Sequence, residues 1–68
     1  MSAHDPMPCY GQLWKNLQKQ ELFCVDTVAN LTISSFNLTP TVVFRDMKST
    51  VWAMPLHEWY EKFDLFSS

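Results

Sequence analysis

The 68 residues make one domain at most, and a chain this short buries only about 60% of the surface that its unfolded form exposes. With 47% hydrophobic residues, three Trp, five Phe and two Tyr, it is too apolar and aromatic to be disordered, and pairing with a second copy would hide the surplus rings. The net charge of −2 and the scattering of the five cations (Lys15, Lys19, Arg45, Lys48 and Lys62) exclude a broad phosphate-neutralising surface, so nucleic acid is disfavoured as a partner.

In chain order, residues 1–10 carry two prolines and no periodicity, and read as a flexible N-terminal arm. Residues 11–66 read as a single small β-rich domain, and residues 67–68 as a tail. Leu13-Trp14-Lys15-Asn16-Leu17 is a short candidate strand, followed by the polar turn Gln18-Lys19-Gln20. Residues 21–29 are the next strand. Alternation would put Phe23, Val25, Thr27 and Ala29 on one face, and Leu22, Cys24, Asp26 and Val28 on the other. Asp26 is the one charge in that apolar run, which marks its face as the wetter one. Residues 30–40 combine the alternation of Leu31 and Ile33 with a loop-like Ser34-Ser35 and Asn37, so strand and loop both remain open there.

Thr41-Val42-Val43-Phe44-Arg45 and Thr50-Val51-Trp52-Ala53-Met54 read as a β-hairpin around Asp46-Met47-Lys48-Ser49. A symmetric turn opposes Phe44 to Val51 and Val43 to Trp52. Val42, Phe44, Val51 and Ala53 would then form a core face. Thr41, Val43, Arg45, Thr50, Trp52 and Met54 would form a mixed one. After Pro55, which cannot donate to a ladder but suits a first helical turn, Leu56, Trp59, Tyr60 and Phe63 fall on one helical stripe. The prediction is therefore a mainly β fold with a short C-terminal α-helix.

The chain resembles a family of short bacterial and phage domains of unknown function with an SH3-like small β-barrel. The carriers are Trp14-Lys15-Asn16-Leu17, Phe23-Cys24-Val25, Val42-Val43-Phe44-Arg45 and, most specifically, Trp52-Ala53-Met54-Pro55-Leu56-His57-Glu58-Trp59. The resemblance spans about residues 14–66 and implies the SH3-like small β-barrel. An α+β arrangement, an antiparallel sheet with one packed helix, is the alternative. The chain departs from the family in lacking its His-x-Glu-Thr segment and in placing Met54 where the family has Arg before Pro-Leu. Any function resting on those residues does not carry over.

Catalytic and metal chemistry find little footing. His4, Cys9, Cys24 and His57 lack ligand spacing, so no metal or other cofactor is expected. His57-Glu58 is the one acid–base pair, and neighbours on a helix point apart. A single glycine, Gly11, rules out a Gly-rich phosphate loop. No enzyme is expected. The N-terminus lacks the basic region and apolar core of a signal peptide, and no apolar run approaches the roughly 20 residues of a membrane span. The chain is read as cytoplasmic, with free thiols and with its two Asn-x-Thr sequons unglycosylated. The remaining expectation is a protein-interaction domain, plausible for a small phage or bacterial accessory factor. Val43, Arg45, Trp52, Met54 and Trp14 are its partner-binding residues, in keeping with the taste of interfaces for Trp, Met and Arg. Single-stranded nucleic-acid binding through Trp14, Lys15, Arg45 and Trp52, or self-assembly, are the alternatives.

Overall fold

A computed structural model describes residues 7–31 and 39–67. The expected loop tip at Ser34-Ser35, His4 and the start of the arm lie outside the described residues. The fold is mainly β: among the described residues it has one five-stranded antiparallel sheet and a single short helix. The strands are β1 (Leu13–Asn16), β2 (Leu22–Ala29), β3 (Thr41–Arg45), β4 (Val51–Pro55) and β5 (Phe63–Ser67). The helix α1 (Leu56–Lys62) lies between the last two. The sheet order is β4-β3-β2-β1-β5, so β4 and β5 are its edges and the sheet does not close as a barrel.

Ordered structure reaches further than residues 11–66. Pro8 is buried, the Cys9 amide donates to Gln12 Oε1 at 2.7 Å, and the Gly11 amide donates to the Val25 carbonyl at 3.0 Å. Gly11 takes φ +86°, a left-handed turn that glycine adopts without steric cost. At the other end Ser67 pairs with Leu13, so it belongs to the sheet rather than to a tail.

β2 does not alternate strictly. Val25 opposes Phe44 but Thr27 opposes Val43, leaving Asp26 as the extra residue of a bulge. Past the bulge the parity changes: Val28, not Thr27, packs on the core. The expected face of Phe23, Val25, Thr27 and Ala29 is therefore broken in the middle. The displaced carboxylate is used, because Arg45 grips Asp26 in a bidentate pair with Nη2 at 2.8 Å and Nε at 3.1 Å.

The β3–β4 hairpin differs from the symmetric turn by one residue. Phe44 opposes Trp52, Val42 opposes Met54, and Val43 opposes Ala53. Three residues, Met47-Lys48-Ser49, span the turn. The Ser49 amide donates to the Asp46 carbonyl at 3.0 Å, the Asp46 amide donates to the Thr50 carbonyl at 3.1 Å, and Ser49 sits at φ +69°. That is a type I turn followed by a left-handed residue, the common three-residue hairpin. A one-residue slip moves every side chain of a strand to the opposite face. Val51 and Ala53 are consequently exposed instead of core, while Trp52 and Met54 share the inner face with Val42 and Phe44.

The helix is shorter than its apolar stripe suggested. Pro55 is its N-cap, and the Leu56 amide is satisfied by the Pro40 carbonyl at 2.9 Å. Glu58 in the first turn and Lys62 in the last suit the helix dipole. At Phe63 the backbone turns extended (φ −135°, ψ 146°) and β5 begins, pairing Phe63 with Asn16 and Leu65 with Trp14. Phe63 is buried all the same, stacked on Trp59 at 3.9 Å, so the stripe correctly marked an inward residue on the wrong element.

Trp14, Phe23, Val25, Val42, Phe44, Trp59 and Phe63 form the core, with Val28, Met54, Leu56 and Tyr60 packed against it. Seven ring pairs knit it together, most of them edge to face, the arrangement that ring quadrupoles favour.

Candidate functional site: an open cleft beside strand β4

Phe23, Phe44 and Phe63 come from β2, β3 and β5, and their ring centroids lie 5.4 to 5.5 Å apart in all three pairings. Strands β3 and β5 are separated by two others in the sheet order, so Phe44 and Phe63 meet only if the sheet curls. A cleft of about 170 Å³ lies over this triangle, with Trp52 and Met54 of β4 along one wall. Its rim is polar: Asn16, Lys19 and Glu21 from the β1–β2 turn, and Asp46 from the β3–β4 turn. A second, larger hollow of about 420 Å³ shares Glu21 and Asp46 and continues to Leu22, Met47 and Lys48. Both turns lie at the same end of the meander, as antiparallel hairpins β1–β2 and β3–β4 require.

The turns are held by side chains acting as backbone acceptors. Asn16 Oδ1 accepts the amides of Gln18 (3.0 Å) and Lys19 (2.7 Å), and the Leu17 amide donates to the Lys62 carbonyl at 2.9 Å. Asp46 Oδ1 accepts the amides of Lys48 and Thr50, both at 2.9 Å. Asp46 Oδ2 accepts the indole N–H of Trp52 at 3.1 Å. Hydrogen bonding by Trp52, then by the Thr50 backbone, holds the Asp46 carboxyl below its usual pKa, so it is charged at neutral pH. Trp52 thus has an oriented ring although 51% of its surface is exposed.

The five expected contact residues do not form one surface. Trp14 is core at 1% exposure, its indole N–H donating to Gln12 Oε1 at 3.1 Å. Val43 and Arg45 lie on the outer face of the sheet, and Trp52 and Met54 on the inner. The Arg45 guanidinium is engaged by Asp26, whose hydrogen bond and charge raise its pKa further above the ordinary arginine value. Only Trp52 and Met54 come together at the cleft. Glu21, Asp46 and the phenylalanine floor were not among the expected site residues. The signal for Asp46 was in the chain, since Asp before a short polar stretch invites a side-chain-closed turn.

Elsewhere, Cys9 is exposed and Cys24 half-buried, both as free thiols. No set of three or more His, Cys, Asp or Glu among the described residues could hold a metal ion. No helix among them is long and apolar enough to cross a membrane. No protein-family model, curated protein or solved structure matches this chain.

Proposed function

We propose that this chain is a non-enzymatic protein-interaction domain, a small phage or bacterial accessory factor acting in the cytoplasm, that takes an extended segment of a partner along β4. The single observation behind this reading is Trp52: half-exposed, locked by Asp46, and set over an aromatic floor on a strand whose outer edge pairs with no strand among the described residues. An unpaired edge offers backbone donors and acceptors to an added strand, and side-chain pockets beside it supply selectivity. Oriented aromatics with little rotamer freedom left to lose are good contact residues.

We also read the architecture as an SH3-like small barrel left open between β4 and β5. Three features support that: β1 lies between β2 and β5, the bulge at Asp26 bends β2, and one helical segment links β4 to β5.

A photo-crosslinker placed at the exposed position 51 tests the interaction reading in the native host. Adducts to one heterologous protein, lost in Trp52→Ala with the circular dichroism unchanged, are the expected result. Adducts only between copies of the chain would replace it with self-assembly. Adducts to single-stranded nucleic acid would replace it with the other alternative.

A further inference from the structure

The cleft beside β4 has a chemistry of its own. Its floor and wall are aromatic, and aromatic faces carry negative quadrupole charge, with Trp the strongest. The Trp52 N–H donates to a carboxylate, which pushes electron density into the ring and strengthens that face. Two carboxylates, Glu21 and Asp46, line the rim with one cation, Lys19, and a second cation, Lys48, lies near Asp46 in the adjoining hollow. Asp46 is held in its charged form by its hydrogen bonds. Among the described residues the one ion pair is Arg45–Asp26, on the outer face, so Glu21 has no ionic partner.

Each class of occupant meets this surface differently. An anionic side chain would face two carboxylates. A purely apolar one would strip water from them and return no hydrogen bond, an uncompensated cost. A long cationic side chain lays its methylenes on the phenylalanines, puts its charge against Trp52 and reaches the rim carboxylates. At about 170 Å³ the cleft admits one such side chain and not a folded element. We infer that the cleft receives an arginine or lysine side chain carried on the extended partner segment. This rests on the interaction reading above and supplies the partner's chemistry.

The test uses two peptides, Ac-Thr-Val-Arg-Val-Thr-NH2 and its norleucine counterpart, titrated at millimolar concentration into the ¹⁵N-labelled chain. The signals followed are the Trp52 indole N–H and the amides of residues 51–54. The arginine peptide should move these signals and bind about three- to fivefold more tightly than the norleucine one, the range of a partly exposed cation–π contact with a rim charge. Glu21→Gln should weaken it and Lys19→Gln strengthen it, and both differences should shrink as salt is added. Equal binding of both peptides at β4 would overturn the cationic assignment while leaving strand docking in place. Shifts from neither peptide would overturn both. Because Glu21 and Lys19 are exposed turn residues, either variant keeps the core intact.

Discussion

Two tryptophans in this chain reverse the usual relation between burial and hydrogen bonding. Trp59 on α1 is completely buried, yet its indole N–H has no hydrogen-bond partner among the described residues. Trp52 on β4 is half-exposed, yet its N–H is tied to Asp46. Buried polar groups are normally satisfied, while exposed ones can rely on water. The covered end of the molecule therefore tolerates an orphan donor for the sake of ring area, with Trp59 set against Trp14, Phe44 and Phe63. The open end adds a hydrogen bond where solvation would have sufficed, and the bond orients the ring.

The largest break in that contrast comes from truncating the buried ring. Trp59→Ala should cost about 3–5 kcal/mol. A 68-residue domain commands only about 3–10 kcal/mol in total, so loss of cooperative thermal unfolding is expected. Trp59→Phe sharpens the point. It loses area but also deletes a donor whose desolvation costs about 1–3 kcal/mol, so its denaturant midpoint should stay near that of the parent. A Trp59→Phe variant as unstable as Trp59→Ala would show that the indole N–H is not an orphan in solution.

Trp52→Ala, by contrast, should keep the far-ultraviolet spectrum and lose about 1–2 kcal/mol, as truncating a half-exposed ring does. Unfolding of this variant would make the open end part of the core.

Acid separates the two ends without mutation. The Asp46 pKa is lower in the folded than in the unfolded state, so the stability it contributes is fully present above its unfolded value. That stability is lost as pH falls through the folded value, below the ordinary 3.8. The Trp52 indole resonance should move only in that range, with Trp59 unaffected. Movement of Trp52 near neutral pH would implicate another group.

The smallest effect is expected at Ser49, which carries a side chain at φ +69°. Ser49→Gly relieves the left-handed strain and should raise stability by about 0.5–1 kcal/mol in chemical denaturation. A loss would mean that the turn in solution is not the three-residue one.

The contrast also divides what the residues disclosed from what they hid. β2, β3, β4 and the break at Pro55 were legible from β-branched runs and a single proline, because those signals are local. The hairpin offset was hidden because a serine, not a glycine, occupies the left-handed position, so nothing marked the turn as three residues long. The Asp26 bulge looked like a wet patch on a regular strand; the ion pair that its carboxylate makes, with Arg45, spans 19 residues. β5 escaped because the alternation Phe63-Asp64-Leu65 lasts only three residues before Phe66 breaks it, directly after a helical stripe that also claims Phe63. Trp14 was assigned to a contact surface because its covering residues, Trp59 and Tyr60, arrive from the far end of the chain. With the strand faces misassigned by one step, only Trp52 and Met54 of the expected site reach the cleft.

The turn over Met47-Lys48-Ser49 has a consequence for how such a domain could diversify. Both sets of side chains on β4 are apolar, Trp52 with Met54 and Val51 with Ala53, so the strand itself holds little preference for which set looks inward. The choice falls to the loop. A loop change that slid β4 by one residue against β3 would set two small aliphatics at the mouth of the cleft in place of a broad aromatic and a thioether. The cleft would widen without a substitution at any position that lines it.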